Sequence, residues 1–172
     1  APMLVRSFLS AGVDTTINGL GNALFALAHH PEEYAKLHAD ESLARPAFEE
    51  ALRWESTAQT FLRTTSRDCE IAGFAVPMNT KVLCLLASAN RDPRKWPDPE
   101  RYDIERRPSG HMAFGSGIHG CVGQAVARLE GEVVLTALAK RVKRIEPAGP
   151  HTRRLNNTLR ALDTLPLRLV PA

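Results

Sequence analysis

A cysteine at the end of a glycine-rich loop is the feature that most constrains this chain. The loop reads Phe114-Gly115-Ser116-Gly117-Ile118-His119-Gly120-Cys121-Val122-Gly123, and a long amphipathic run from Gln124 to Val142 follows it. Glycines let a backbone pass close to a flat ligand, and the unpaired N–H groups at a helix start favour a thiolate over a thiol. We therefore predict that Cys121 is a metal-binding thiolate, with an ordinary loop holding a small buried cysteine as the alternative.

The bulk properties exclude several classes of protein. The 172 residues are enough for one domain with a core, and no window is long and apolar enough to span a membrane. The cysteines number three, with no C-x-x-C pair, which argues against a disulfide framework and fits a reducing cytoplasm. The net charge of +3 is modest and no basic stripe interleaves with aromatics, so neither nucleic acid nor membrane is an expected partner.

The order of apolar periodicities predicts a mainly α fold with small β-sheets. Helices are predicted over residues 2–29, 31–39, 46–55 and 124–142. Short strands are predicted within residues 61–76, 81–86 and 165–170. Between Asn90 and Gly110 the chain is rich in Pro, Arg and Asp, which excludes regular helix or sheet and predicts an ordered meander or a flexible loop.

Two further motifs lie inside predicted helices. In Glu50-Ala51-Leu52-Arg53 the charged residues are spaced i, i+3, so the carboxylate and the guanidinium share a face; taken alone, such a pair is usually solvated. In Ala11-Gly12-Val13-Asp14-Thr15-Thr16 the glycine and the threonines weaken a helix, and a threonine hydroxyl can bond to the preceding turn. This segment is predicted to widen the helix locally, with a polar surface turn as the alternative.

Together these motifs resemble the cytochrome P-450 family. The cysteine loop is similar to its haem-binding signature, the E-x-x-R to its helix-to-meander pair, and A-G-x-D-T-T to its oxygen-activating groove. The element order of the whole chain is also that of the family. The resemblance implies that residues 1–172 are the C-terminal half of a haem-thiolate monooxygenase domain whose N-terminal half is absent from this sequence.

The resemblance also implies how haem b would be held. Cys121 is the expected ligand of the haem iron, to which a thiolate pushes electron density. Arg63 and His119 are expected to bind the haem propionates, because charge-assisted hydrogen bonds are the stronger kind. Phe114 and Gly115 are expected on the thiolate side of the haem, where the Phe114 ring would limit access of water and tune the potential.

Catalytic and structural roles follow from the same resemblance. The Thr15 hydroxyl is expected to hold water beside the bound oxygen, and Asp14 is expected to pass protons from solvent. Glu50 and Arg53 are expected to form a buried structural pair that locks their helix to the meander. A meander arginine or histidine would complete this pair.

Within the family, residues 57–63 and 155–160 look closest to bacterial members that act on para-substituted benzoic acids such as 4-methoxybenzoate. Oxidation of a para-methoxy group there gives O-demethylation. Five residues are expected to bind the substrate: Ser7, Ser10, Ala11, Ala58 and Phe61. The two serine hydroxyls would receive a carboxylate, and Ala58 and Phe61 would form an apolar wall.

Family members take electrons from NAD(P)H through a ferredoxin or flavodoxin-like donor with its reductase, and they use O2 and a small-molecule substrate. A basic cluster could steer such an acidic donor, although solvated surface is its ordinary role. The cluster comprises Arg94, Lys95, Arg101, Arg106 and Arg107.

Three alternatives stand beside the monooxygenase. A haem-thiolate peroxygenase would use H2O2 directly, and a haem sensor or electron carrier would turn over no substrate; neither needs the proton-delivery pair Asp14-Thr15. The third alternative is a truncated fragment with no cofactor and no activity. The fragment alone is expected to be inactive, even if the intact protein is an enzyme.

Overall fold

The computed structural model describes residues 2–172, in which helices cover more of the chain than strands do. The α-helices are α1 (Pro2–His29), α2 (Pro31–Ala39), α3 (Ala44–Trp54), α4 (Leu86–Ala89) and α5 (Gln124–Arg141). Short 3₁₀ turns lie at Glu41–Leu43, Met112–Phe114 and Gly117–His119. Among the described residues no helix combines the length and the apolar character needed to cross a membrane.

The strands form small antiparallel pairs, so the prediction of a mainly α chain with small sheets is confirmed. The pairs are β1 (Thr60–Thr64) with β4 (Lys81–Leu85), β2 (Cys69–Ile71) with β3 (Phe74–Val76), β5 (Val142–Pro147) with β8 (Leu167–Pro171), and β6 (Thr152–Arg154) with β7 (Ala161–Thr164). The tight turn between β2 and β3 uses positive φ at Ala72 and Gly73. Such turns match the twist of a hairpin.

The core lies where the second half of α1 meets α2, α3, α5 and β5. Its most buried side chains include Leu27, Leu37, Phe48 and Leu135. Gly131 allows α5 to approach α3 closely, since a Cβ at this position would lie 2.3 Å from ring atoms of Phe48. This contact sets the distance of α5 from α3, and α5 begins directly after the loop that carries Cys121.

The helix boundaries differ little from those predicted. The third helix begins at Ala44, two residues before Pro46, because a 3₁₀ turn capped by Asp40 leads directly into it. The Ser42 N–H donates to Asp40 Oδ1 at 3.0 Å. Pro46 therefore lies within the first turn, where its missing N–H leaves no helical bond unmade.

The segment from Asn90 to Gly110 is an ordered meander without helix or strand, which decides between the two predicted alternatives. Its side chains Trp96, Tyr102 and Ile104 are buried. The Tyr102 hydroxyl donates to the Ala47 carbonyl at 3.1 Å, and the Ile104 N–H donates to a carboxylate oxygen of Glu33 at 3.1 Å.

The predicted widening of α1 is wrong. The helix is regular through Ala11 and Thr16. The Thr15 hydroxyl donates to the Ala11 carbonyl at 2.8 Å, a bond that an ordinary α-helix accommodates.

Candidate functional site

The cysteine loop consists of two 3₁₀ turns held together by its backbone. Gly115 and Gly117 have φ of 67° and 60°, in the left-handed region that glycine adopts without strain. A Cβ on Gly115 would lie 2.8 Å from the carbonyl oxygen of His119, so the close approach of these two turns requires glycine. The Cys121 N–H then donates to the Phe114 carbonyl at 2.8 Å, which ties the end of the loop to its beginning.

Cys121 differs from the other cysteines in its surroundings. It is exposed and unpaired, and α5 begins three residues later, at Gln124. Cys69 and Cys84 are half-buried in strands β2 and β4. Residues 2–172 contain no group of three or more His, Cys, Asp or Glu side chains able to hold a metal ion.

An apolar groove between α1 and α5 runs up to this loop. It encloses about 850 Å³, and its lining includes Phe8, Gly12, Thr16, Gly123 and Val126. This volume lies within the range of roughly 300–1,000 Å³ of cofactor and ligand sites. A Cβ on Gly12 would meet nothing within 4 Å, and one on Gly123 would lie 3.9 Å from the Cys121 sulfur. A flat apolar group with an iron atom, such as haem, fits this combination of groove and thiol.

The predicted residues of the first helix lie beside this groove. Ser7, Ala11 and Thr15 are four residues apart and therefore share one stripe of α1. The Ser7 hydroxyl donates to the Met3 carbonyl at 2.9 Å, so both Ser7 and Thr15 bond to their own helix. Asp14 and Ser10 are exposed. Sequence reasoning missed Gly12 and Thr16 as the positions of this segment that line the groove itself.

The remaining predicted cofactor and substrate residues lie on other elements. Arg63 is in β1, where its guanidinium carbon lies 5.6 Å from the centre of the Phe61 ring. Ala58 precedes that strand and pairs with Leu159 through an isolated β-bridge. His119 is exposed at the end of the second 3₁₀ turn.

Glu50 and Arg53 form a fully buried pair, which excludes the solvated alternative. Two nitrogens of Arg53 donate to the two carboxylate oxygens of Glu50 at 2.8 and 2.7 Å, and both side chains are 0% exposed. Arg53 also donates to the carbonyls of Asn90 and Pro99 at 2.9 Å each. A third bond runs from Arg53 to the Arg101 carbonyl at 3.2 Å, so the pair anchors the meander to α3 at three points.

A meander arginine completes this pair, and it comes from the predicted basic cluster. Arg106 Nε donates to Glu50 Oε1 at 3.0 Å, and only 13% of its side chain is exposed. The interpretation of Arg106 as a surface cation is therefore wrong, because its guanidinium is mostly buried and shares the Glu50 carboxylate with Arg53. Arg94 pairs with Asp92 on the surface.

Two carboxylates that flank the E-x-x-R motif were missed, the half-buried Glu49 and the buried Glu55. Glu49 contacts His111 and Arg128, and Glu55 contacts Arg153 and Arg160. Glu49 and Glu50 are neighbours in α3, and neighbouring side chains on a helix point about 100° apart. The two carboxylates therefore contact different parts of the fold. The run of charged residues at positions 49–55 indicates ion pairs in this segment, but the partners of Glu49 and Glu55 are distant in sequence and are identified only from the fold.

Glu55 fastens the β6–β7 hairpin to the helices. Arg153 donates to Glu55 Oε1 at 2.5 Å and to Asn22 Oδ1 at 3.3 Å. The Asn22 amide in turn donates to the backbone carbonyls of Glu55 and Arg160, at 3.2 and 3.0 Å. The Arg160 N–H donates to the Thr57 carbonyl at 2.8 Å, which fixes the segment that contains Ala58.

The chain is similar in sequence to a protein family and to individual bacterial proteins. The family model described as Cytochrome P450 matches residues 2–144. Cytochrome p450 CYP199A2 of Rhodopseudomonas palustris is 64% identical over 172 residues, which are 100% of this chain and 42% of that protein. The 6-deoxyerythronolide B hydroxylase of Saccharopolyspora erythraea is 38% identical over 164 residues, 94% of this chain and 41% of that protein.

Solved structures give the same result. Cytochrome P450 CYP109Q5 from Chondromyces apiculatus matches with a TM-score of 0.91 and 45% identity, over 97% of this chain and 44% of that one. CYP109B1 from Bacillus subtilis matches with a TM-score of 0.89 and 37% identity, over 94% of this chain and 44% of that one. The chain thus spans less than half the length of these relatives. By sequence, by fold and by its cysteine loop, it belongs to the cytochrome P450 family.

Proposed function

We propose that residues 1–172 form the C-terminal half of a haem-thiolate monooxygenase domain. The observation that carries the proposal is the exposed Cys121 thiol, placed between a glycine-dependent loop and α5 at the end of an apolar groove. The family membership and the hydroxylase among the relatives support this activity for the whole protein. The element order supports a domain that the 172 residues fill in part.

Haem b, when bound, supplies the chemistry that inserts one atom of O2 into a substrate, with electrons from NAD(P)H. The chain's own residues hold it and control protons. Cys121 supplies the thiolate, and the Phe114 ring shields the thiolate side from water. Arg63 and His119 supply positive or hydrogen-bonding groups for the two propionates.

Asp14 and Thr15, on α1, would hold and move protons for the reaction. The Asp14 carboxylate is exposed and can exchange protons with solvent. The Thr15 Oγ1 is held by its bond to the Ala11 carbonyl, which leaves its lone pairs free to accept from water. This pair favours a monooxygenase over a peroxygenase or an electron carrier, neither of which requires proton delivery.

The chain alone is proposed to be inactive, because the stripe of α1 that carries Asp14 and Thr15 is open to solvent. In the intact protein, a cytoplasmic ferredoxin or flavodoxin-like donor with its reductase would deliver the electrons. Arg94, Lys95, Arg101 and Arg107 remain the candidates for steering an acidic donor.

The test is the spectrum of the reduced, CO-bound protein after single cysteine substitutions. Cys121→Ala in the intact haem-loaded protein is expected to abolish the thiolate-type band. Cys69→Ala and Cys84→Ala are the matched controls and should retain it. A thiolate-type band in the Cys121→Ala variant would overturn the proposal.

We further propose a para-substituted benzoate, such as 4-methoxybenzoate, as the substrate. Ser7 and Ser10 would receive its carboxylate, while Ala58 and Phe61 would contact its ring, so that its methoxy group is oxidised and lost by O-demethylation. Ser7 and Ser10 are exposed in this chain, and the proposal requires that the intact protein buries them together with the bound substrate. An ester would then leave a buried polar group unpaired, at a cost of ~1–3 kcal/mol. The acid should therefore bind roughly ten- to a hundredfold more tightly than its methyl ester in a spin-state titration. Equal binding would rule out this carboxylate site.

A further inference from the structure

The Phe114 ring at the start of the cysteine loop lies between a cation and an imidazole. The Arg128 guanidinium carbon, on α5, lies 4.5 Å from the centre of the ring. The His111 ring lies 5.8 Å from it on centres. Since the Phe114 carbonyl accepts the Cys121 N–H, whatever fixes Phe114 also fixes the cysteine backbone.

Both neighbours of Phe114 are held by one carboxylate, that of Glu49 on α3. Arg128 Nε donates to Glu49 Oε1, and His111 Nε2 lies 2.6 Å from Glu49 Oε2. His111 Nδ1 accepts the Ala113 N–H at 3.2 Å, so the proton of a neutral imidazole lies on Nε2, directed at Glu49. Arg128 Nη1 donates to the side-chain oxygen of Gln124 at 2.6 Å.

These contacts keep Glu49 ionised. Burial alone raises the pKa of Glu49, but the hydrogen bonds from His111 and Arg128 outweigh it and hold the pKa below its usual value. The Arg128 cation beside the cysteine loop is therefore neutralised by a single negative charge. Both side chains are mostly buried, at 24% exposed for Arg128 and 16% for Glu49, so solvent screens them only in part.

We propose that the Glu49–Arg128 pair sets the reduction potential of the haem iron that Cys121 binds. Arg128 places a positive charge beside the loop, and Glu49 acts as a positioning residue that fixes and neutralises it. The inference rests on the proposed function, because it requires haem ligation by Cys121.

Removing the charge of Glu49 and removing the charge of Arg128 should shift the reduction potential in opposite directions. Without the Glu49 charge, the Arg128 cation is uncompensated and favours the ferrous state, which carries one more electron. Without the Arg128 charge, the Glu49 carboxylate is uncompensated and favours the ferric state. A purely structural clamp would instead loosen the loop in both variants and shift the potential in the same direction.

The experiment measures the midpoint potential of the intact haem-loaded protein by spectroelectrochemistry, with the CO spectrum as the check on thiolate ligation. Glu49→Gln should raise the midpoint potential and Arg128→Gln should lower it. Each shift should be about 59 mV, which for one electron is a tenfold change in the equilibrium constant of reduction. The double variant should return close to the starting potential. Glu146→Gln is the matched control, since Glu146 pairs with Arg144 and Arg168 on β5 and β8, and it should cause no shift.

Charge-conserving variants keep the test decisive if the loop is destabilised. Glu49→Asp and Arg128→Lys should retain the potential, even where thermal stability falls. Shifts of equal sign in the two charge-removing variants, or no shift in either, would overturn the inference while leaving Cys121 as the ligand. Loss of the thiolate-type CO band in the unmodified protein would instead overturn the proposed function.

Discussion

The two halves of α1 have similar apolar side chains and different surroundings. In the first half Met3, Leu4, Phe8 and Leu9 are all more than half exposed. In the second half Ala23, Ala26 and Leu27 are fully buried against the core. One continuous helix thus passes from solvent to the interior. Apolar periodicity in the sequence therefore identifies the apolar face of a helix, but whether that face is buried depends on the elements that pack against it.

The two halves also divide the work of the proposed site. The open half carries the residues proposed for proton delivery and substrate, at Ser7, Ser10, Asp14 and Thr15. The packed half carries Asn22, which fastens the β6–β7 hairpin. Contiguous exposed apolar surface of this kind marks an interaction site in a folded protein. The chain spans about 42% of its R. palustris relative.

The largest expected difference concerns buried charge. Glu50→Ala removes the partner of Arg53 and Arg106, leaving two arginines without their carboxylate. Breaking a buried pair in this way costs ~3–5 kcal/mol of unfolding free energy. Asp14→Asn in the open half should change it by less than about 0.5 kcal/mol. Urea denaturation of the chain measures both, and equal effects would remove the distinction between the two regions.

Much of the fold could be predicted from the sequence because its signals are local. The start of α2 follows from Pro31, and the meander from its prolines. The pairing of Glu50 with Arg53 also depends on a spacing of three residues within one helix. The loop around Cys121 was recognisable because glycine is the residue that tolerates the positive φ at positions 115 and 117.

The rest depends on contacts between distant segments. Arg106 reaches Glu50 across 56 positions, and Arg128 reaches Glu49 across 79. A charged residue in a loop reads as solvated surface unless its partner is known, which is why Arg106 was misassigned. The widening expected near Thr15 failed for the opposite reason: a local propensity was outweighed by a helix that accommodates the hydroxyl bond to Ala11.

A smaller difference is expected for matched leucines of α1. Leu27→Ala creates a cavity in the core, and such substitutions cost about 2–5 kcal/mol. Leu9→Ala removes a side chain that is 66% exposed and should change the unfolding free energy by less than about 0.5 kcal/mol. Thermal or urea unfolding of the two variants measures the contrast. A large loss in Leu9→Ala would show that the open half packs in solution against something in the chain.

The smallest expected effect is the change in unfolding free energy when a helical glycine is replaced by alanine, and its sign should differ between two glycines. A Cβ at Gly12, in the open half of α1, meets nothing within 4 Å. Gly12→Ala should therefore stabilise the chain by about 0.8–1.0 kcal/mol, the helix-propensity gain of alanine.

A Cβ at Gly131 would lie 2.3 Å from the buried Phe48 ring, so the helices must separate or the ring must move. Overpacking of this kind costs about 1–3 kcal/mol, which exceeds the same propensity gain over most of that range. Urea unfolding midpoints should thus move up for Gly12→Ala and down for Gly131→Ala. A rise in both midpoints would mean that the Phe48 ring can move aside for a side chain at position 131.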